Sequence, residues 1–150
     1  VVASEDVAAK GKEGGFGHYT SHASDPLMAT VGLSVIDVIV TDNLGERAAR
    51  LGKRLSAGLE ELQRRHESVG DIRGRGLLLG VEIVTDRETR APGHDLIAQL
   101  TDRCFALGLN VNRVGGPHSV WRLAPPLTIA EDEIDQAVAI MDQALTEIAG

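Results

Sequence analysis

Near residue 66, the spacing of apolar residues changes from a helical to a strand-like pattern. This change restricts the possible folds more than any other feature of the sequence. Before it, apolar residues recur at steps of three and four, which predicts a long amphipathic helix; they are Leu44, Ala48, Leu51, Leu55, Leu59 and Leu62. After it, Val69–Gly76 and Leu77–Val84 have the pattern of two strands or one bent ribbon, with glycines at the bends. A one-sided helix followed by paired strands favours a small sheet covered by helices.

The segment before the long helix predicts two further helices. Glu5–Lys10 is typical of a short helix, and Lys10–Gly17 of a glycine-rich loop. Asp25 supplies an N-cap and Pro26 a proline at the first helical position. Because the helix that follows is apolar over most of its circumference, we expect it to be largely buried.

The second half of the chain completes the fold class. Its predicted elements are a helix over Asp95–Leu107, strands over Leu109–Arg113 and Val120–Ala124, and a last helix opened by a capping box of Thr128 and Glu131. Gly108 is expected to end the first of these helices as a left-handed cap. The order favours an α/β or α+β fold with a largely antiparallel sheet covered by helices.

Composition excludes several classes of partner. The chain has 150 residues, 22 acidic and 15 basic, so its net charge of −7 argues against nucleic-acid binding. No apolar run approaches the ~18 residues of a membrane span, since Asp37 interrupts the nearest one, Leu27–Val40. A single cysteine, Cys104, excludes an internal disulfide and suits a reducing cytoplasm.

Three motif-like patterns have simpler structural explanations. The glycines from Gly74 to Gly80 lead into strand-like sequence, whereas a phosphate-binding glycine loop must open a helix. His18 and His22 have a ligand-like spacing, but they lie in a predicted loop without a third ligand, so no zinc site is expected. Cys104 on an inward helix face is expected to be a buried apolar residue rather than a nucleophile.

Arg122 is the strongest candidate for a binding residue. It lies in VWRLAPP, an otherwise apolar strand, where alternation can turn one side chain towards a cleft. A guanidinium in such a position often binds a carboxylate with two parallel hydrogen bonds. The alternative is an arginine at the rim that pairs with an acid of the same chain. The pattern alone leaves both possibilities open.

Two longer segments carry a resemblance to a known family. GDIRGRGLLLGVEIV, at Gly70–Val84, and WRLAPPLT, at Trp121–Thr128, resemble the C-terminal part of class III aminotransferases, which are pyridoxal-phosphate (PLP) enzymes of fold type I. Within that family, YTSHASDPL at Tyr19–Leu27 is most similar to the 2,2-dialkylglycine decarboxylases. The resemblance implies that residues 1–43 end the PLP-binding large domain and its connecting helix, and that residues 44–150 form the C-terminal small domain.

The same resemblance implies a set of site residues. Ser21, with Thr20 beside it, would contact the phosphate of a PLP held mainly by the partner subunit. Ser21, Ala23 and Asp25 would bind an alkali cation, potassium or sodium, through oxygen atoms, as a hard cation requires. Asp25 is equally a plain N-cap. Arg122 would grip the carboxylate of the substrate.

The lysines depart from what PLP chemistry needs. The catalytic lysine of a PLP enzyme must lie in a dry pocket. Lys10 and Lys12 fall in the predicted loop, and Lys53 lies on a polar helix face. No catalytic residue is therefore expected in this chain: the resemblance places the Schiff-base lysine upstream of Val1, in a longer enzyme of which this piece alone would be inactive.

Three functions follow as alternatives. The first is decarboxylation of a 2,2-dialkylglycine coupled to transamination of a keto acid such as pyruvate. The second is ordinary class III transamination of an ω-amino or α-amino donor. The third is a non-catalytic standalone module, favoured by the poorly placed lysines. The resemblance further implies a homo-oligomer, dimer or tetramer, with its active site at the subunit interface and with amino and keto acids as ligands.

Overall fold

The structure of the protein is a computed structural model that describes residues 3–17, 21, 25–114 and 119–150. It divides into two compact units, Val1–Val38 and Ile39–Gly150. The described helices are α1 (Glu5–Glu13), α2 (Pro26–Thr41), α3 (Leu44–Arg65), α4 (His94–Ala106) and α5 (Glu131–Ala149). The described strands are β1 (Val69–Arg75), β2 (Leu78–Asp86), β3 (Ala91–Pro92), β4 (Asn112–Val114) and β5 (Val120–Leu123). The domain boundary expected after residue 43 stays a prediction.

Helix α1 is longer than the sequence pattern indicated. It continues to Glu13, so the predicted loop over Lys10–Gly17 is wrong in its first half. Acidic residues in the first turn and lysines in the last turn complement the helix dipole, which favours the extra turn. Gly14 is the C-cap of the helix, and Gly15 follows it with a φ of +71°.

Helix α2 begins as predicted but is not buried. The Leu27 N–H donates to Asp25 Oδ1 over 3.0 Å, so Asp25 does cap the helix. No residue of α2 is buried, and Leu33 and Val40 are 62% and 71% exposed. The expectation of burial was wrong. A helix that is apolar on all sides favours apolar contacts, but the residues that make those contacts need not belong to the same chain. Among the described residues, no single helix is long and apolar enough to cross a membrane, and α2 and α3 reach that composition only as a bent pair.

The sheet lies in the unit Ile39–Gly150 and is antiparallel, as predicted. Its strand order is β1-β2-β5-β4, and the short β3 pairs with β2. The register places Arg73 opposite Gly80, Gly80 opposite Arg122, and Arg122 opposite Asn112. Residues directly opposite one another share a face of a sheet, so these four positions form one row across it.

The other face of the sheet carries the core. The leucine stripe of α3 packs there with residues of α4, α5 and the strands, which confirms the one-sided helix predicted for α3 and the inward position of Cys104. Its buried members include Leu51, Leu55, Leu59, Leu62, Val81, Ile83, Ile97, Leu100, Cys104, Trp121, Ile134, Met141 and Leu145. The predicted fold class, a mixed α/β domain with a small antiparallel sheet covered by helices, is confirmed.

The glycines of the β1–β2 hairpin have structural roles. Gly76 has a φ of +56° and Gly74 a φ of +145°, conformations that L side chains rarely adopt. A Cβ added to Gly52 of α3 would collide with the backbone of Gly76. The hairpin therefore turns tightly against α3, and the strand interpretation of this glycine run is confirmed.

The start of α5 corrects the predicted capping box. The N-cap position is Ala130, whose N–H donates to the Glu133 carboxylate over 2.8 Å. Thr128 lies two residues before this N-cap and does not cap the helix. Its segment is bound to α3, because Arg47 Nη2 donates to the carbonyls of Thr128 and Ile129 over 3.3 and 2.6 Å. The pairing of Thr128 with Glu131 was therefore wrong by two residues.

Candidate functional site

Strand β5 directs two neighbouring side chains to opposite faces of the sheet. Trp121 is only 1% exposed, and its Nε1–H donates to the Thr101 hydroxyl over 2.8 Å. Arg122 follows it and is exposed. Because side chains alternate along a strand, burying the tryptophan fixes the arginine on the outer face.

The neighbours of Arg122 in the sheet leave space around it. Gly80 lies directly opposite on β2 and carries no side chain. A Cβ at Gly80 would already lie 3.3 Å from a methyl carbon of Val120, so the site is tight on one side. Asn112, opposite on β4, adds an exposed polar group. In the sheet, Arg122 thus lies between a residue without a side chain and an exposed asparagine.

No described residue forms a hydrogen bond or an ion pair with the Arg122 guanidinium. Other arginines of the same unit are engaged: Arg54 binds Asp135 through two nitrogens over 2.8 and 2.6 Å, and Arg103 contacts Glu147. Arg122 therefore does not fit the alternative of a rim arginine paired with an acid, as far as the described ranges extend. Its donors remain available to a ligand.

The outer face around Arg122 forms a cleft of about 590 Å³. That volume lies within the range of small-molecule sites, about 300 to 1,000 Å³. Three arginines and several apolar residues line it, and two glycines leave space at its base. The lining is formed by Arg73, Gly74, Arg75, Leu78, Leu79, Gly80, Val114, Val120 and Arg122. The arrangement suits a small ligand with an anionic group.

The residues implied for phosphate and cation contacts are only partly described. Ser21 lies in a turn and is exposed. Asp25 accepts the Leu27 N–H, so its carboxylate acts as a helix cap. Thr20 and Ala23 lie outside the described residues, as do His18 and His22. Where the structure describes the chain, no group of three His, Cys, Asp or Glu side chains is placed to hold a metal.

The lysines and the cysteine offer no nucleophile. Lys10 and Lys12 are exposed on α1, although a loop was expected there, and Lys53 is exposed on α3 as predicted. None occupies the dry pocket that the catalytic lysine of a PLP enzyme needs. Cys104 is fully buried, and burial raises the pKa of its thiol to about 11, which confirms an apolar role.

Sequence reasoning missed the other guanidinium groups at this cleft. Arg73 and Arg75 are two residues apart on β1, and this spacing places them on the same face of that strand. That this face is shared with Arg122 depends on how β1 and β5 each pair with β2. The sequence did show two arginines at alternate positions of a strand. That spacing does not say how the strand pairs with its neighbours.

Comparisons with known proteins agree with the family resemblance. The profile of the family described as aminotransferase class III matches residues 1–145. An uncharacterized aminotransferase of Schizosaccharomyces pombe is 41% identical over 148 residues, which are 97% of this chain and 33% of that protein. An ethanolamine-phosphate phospho-lyase homolog of Caenorhabditis elegans is 35% identical over 147 residues, 97% of this chain and 31% of that protein.

A solved structure gives the same result for the fold. An amine transaminase from an uncultivated Pseudomonas species, in a PLP-bound form, matches with a TM-score of 0.79 and 27% identity over 87% of this chain and 30% of that one. The chain spans about a third of the length of the curated relatives it matches. A specific closeness to 2,2-dialkylglycine decarboxylase does not emerge from these proteins. Since the family profile covers nearly the whole sequence, the chain belongs to the class III aminotransferases.

Proposed function

We propose that this chain supplies the substrate-carboxylate site of a PLP-dependent aminotransferase. One observation carries the proposal: Arg122 is an exposed guanidinium in a small cleft, without a described partner. An arginine holds a carboxylate through two parallel hydrogen bonds, which fixes the direction of the ligand as well as its position. The carboxylate shared by amino acids and keto acids is the group that this geometry fits.

The proposal assigns this chain a supporting part in cofactor binding. PLP, when bound, serves as the electron sink for amino-group transfer. The exposed hydroxyl of Ser21 fits a contact to its phosphate, with Thr20 as a second candidate. The described lysines are exposed, so we propose that the catalytic lysine belongs to a part of the enzyme outside these residues. We also propose a cytoplasmic homo-oligomer, dimer or tetramer, in which Ser21 reaches the partner subunit's cofactor.

The role of Arg122 in the reaction is to bind and orient. Its backbone is fixed in the middle of the sheet by pairing with β2 and β4, and by the buried Trp121 beside it. A carboxylate held by this side chain therefore has a defined position relative to the sheet. Holding a reactant in one orientation lowers the barrier of its reaction by avoiding the entropy loss at the reacting step.

A finer proposal concerns the reaction type. The segment Tyr19–Leu27 favours a 2,2-dialkylglycine decarboxylase that binds potassium or sodium through Ser21, Ala23 and Asp25. The aminotransferase names of the relatives favour ordinary transamination of an ω-amino or α-amino donor instead. The two are separated by incubating the full-length enzyme with 2-aminoisobutyrate and pyruvate. Release of CO2 together with alanine supports the decarboxylase, whereas transamination of other donors without CO2 supports the ordinary enzyme.

Arg122→Lys in the full-length enzyme tests whether Arg122 binds the substrate carboxylate through two hydrogen bonds. An ammonium group keeps the charge but loses the planar two-bond geometry. We expect kcat/KM for an amino acid to fall by more than about a hundredfold, roughly 3 kcal/mol of transition-state stabilisation. A simple amine without a carboxylate should lose far less. Steady-state kinetics with the two donors measures the contrast.

The matched control is Arg113→Lys, which makes the same chemical change at an exposed position on the neighbouring strand β4. Its kinetics should resemble those of the unchanged enzyme for both donors. Equal losses on amino acid and amine in Arg122→Lys, accompanied by a lower melting temperature, would return Arg122 to a structural role. That result would remove the main support for the proposed function.

A further inference from the structure

We propose that Arg47 is a positioning residue for the carboxylate site at Arg122. It acts through the segment that joins β5 to α5, residues 124–130, which we call the β5–α5 connection. The inference rests on the proposed function for the role of Arg122 in holding a carboxylate. Arg47 itself lies on α3, apart from the residues that line the cleft around Arg122.

The end of strand β5 has little support from the sheet beyond Arg122. Arg122 is the last residue but one of this four-residue strand, and its pairing with β2 and β4 holds it from the two sides. After Leu123 the chain leaves the sheet. Pro125 and Pro126 follow, and proline has no N–H with which to extend a ladder of hydrogen bonds. The end of the strand therefore depends on how the β5–α5 connection is held.

Burial holds this connection only in part. Residues 124–130 are all described, and none of them is buried. Ile129 packs partly against the core, whereas Leu127 and Thr128 before it are exposed. The Ile129 N–H donates to the Pro126 carbonyl over 3.0 Å, which closes a turn inside the connection. That bond fixes the shape of the turn but does not tie it to another element.

Arg47 ties the connection to the core through three hydrogen bonds. Its Nε donates to the Leu127 carbonyl over 3.2 Å. Its Nη2 donates to the carbonyls of Thr128 and Ile129 over 3.3 and 2.6 Å. The guanidinium is half-buried, and the leucine stripe of α3 anchors its helix in the core. Because a charged donor makes a stronger hydrogen bond than a neutral one, this single side chain holds three successive carbonyls firmly.

The connection also adjoins Arg122 directly. Pro125 and Ile129 line a cavity of about 690 Å³ together with Arg122. A shift of the connection therefore changes the space beside Arg122 as well as the end of its strand. A misplacement of about 1 Å at a reacting group can lower a rate by about a hundredfold, so a small movement has a measurable effect.

The test uses Arg47→Gln in the full-length enzyme, with an amino acid and with a simple amine that lacks a carboxylate. We expect kcat/KM for the amino acid to fall by about tenfold or more, and that for the amine by less than about twofold. Arg47→Lys should restore part of the loss, because an ammonium group can still donate to some of the carbonyls. If Arg47→Gln does not fold, Arg47→Lys provides the same comparison of the two donors.

The matched control is Arg54→Gln, which removes another arginine from α3. Arg54 binds Asp135 of α5 over 2.8 and 2.6 Å and has no printed bond to the connection among the described residues. Its kinetics should match those of the unchanged enzyme for both donors. Hydrogen–deuterium exchange gives a second readout: amides of residues 120–130 should exchange faster in Arg47→Gln and at an unchanged rate in Arg54→Gln.

The outcomes separate this inference from the proposed function. Equal losses for the amino acid and the amine in Arg47→Gln, or unchanged exchange over residues 120–130, would overturn the positioning role. Arg122→Lys is measured beside it with the same two donors. A contrast between the donors in Arg122→Lys but not in Arg47→Gln would overturn only the inference about Arg47. No contrast in Arg122→Lys would overturn the carboxylate site itself.

Discussion

The two faces of the sheet differ in what their side chains have as partners. On the inner face, Trp121 is buried against the helices, and its one polar atom is paired with Thr101. On the outer face, one residue further along the same strand, Arg122 is exposed and has no described partner. The inner face therefore stabilises the fold, whereas the outer face leaves a cationic side chain exposed. The period-two alternation of one short strand separates the two.

On the inner face, the polar atom of Trp121 belongs to a short chain of hydrogen bonds. The Thr101 hydroxyl accepts the Trp121 Nε1–H over 2.8 Å and donates to the Ile97 carbonyl over 2.6 Å. A buried donor or acceptor without a partner is costly, so this completed chain of bonds allows a large amphipathic ring to lie in the core. On the outer face, the described residues form no corresponding chain of bonds at Arg122; under the proposed function, the carboxylate of a ligand would be its partner.

The largest effect on stability is expected from Trp121→Ala on the inner face. Removing a fully buried indole leaves a cavity, and we expect the free energy of unfolding to fall by about 3 to 5 kcal/mol. Chemical denaturation followed by circular dichroism measures this change. If the variant does not fold, Trp121→Phe provides a milder cavity at the same place. A loss below about 1 kcal/mol for Trp121→Ala would contradict the stabilising role of the inner face.

A smaller effect is expected from Thr101→Val, which keeps the side-chain shape and removes the hydroxyl. The Trp121 N–H would then be buried without an acceptor, so we expect a loss of about 1 to 3 kcal/mol in the free energy of unfolding. The control is Thr146→Val on α5, whose exposed hydroxyl donates to the Asp142 carbonyl of its own helix. Equal losses in the two variants would show that the hydroxyl pairing at Trp121 has no special part in stability.

Much of the fold could be predicted because periodicity reports burial within one chain. The leucine stripe of α3 and the left-handed Gly108, with a φ of +98°, were found where the sequence indicated. The exposure of α2 could not be predicted, since apolar composition does not say which residues will cover a helix. The cap of α5 was misplaced because the carbonyl contacts of Arg47, about eighty residues away in sequence, hold the preceding turn.

The candidate site was predictable only at Arg122. One charged residue in an apolar strand is a local signal, and alternation alone assigns it to the outer face. The approach of Arg75 depends instead on the β1–β2 hairpin and on β5 pairing with the other edge of β2, which bring together residues 47 positions apart. Such a cluster becomes visible only once the strand register is known. The roles of Ser21, Thr20, Ala23 and Asp25 stay predictions.

Arg122→Gln is expected to change stability least, and it tests whether Arg122 belongs to the binding site or to the fold. In Arg122→Gln, the free energy of unfolding should stay within about 0.5 kcal/mol of that of the unchanged protein, as for an exposed residue without structural partners. Affinity of the full-length enzyme for pyruvate, measured on the same variant, should be lost. A fall in stability of the size expected for Thr101→Val, with pyruvate binding intact, would contradict the account, because it would make Arg122 part of the fold rather than of the site.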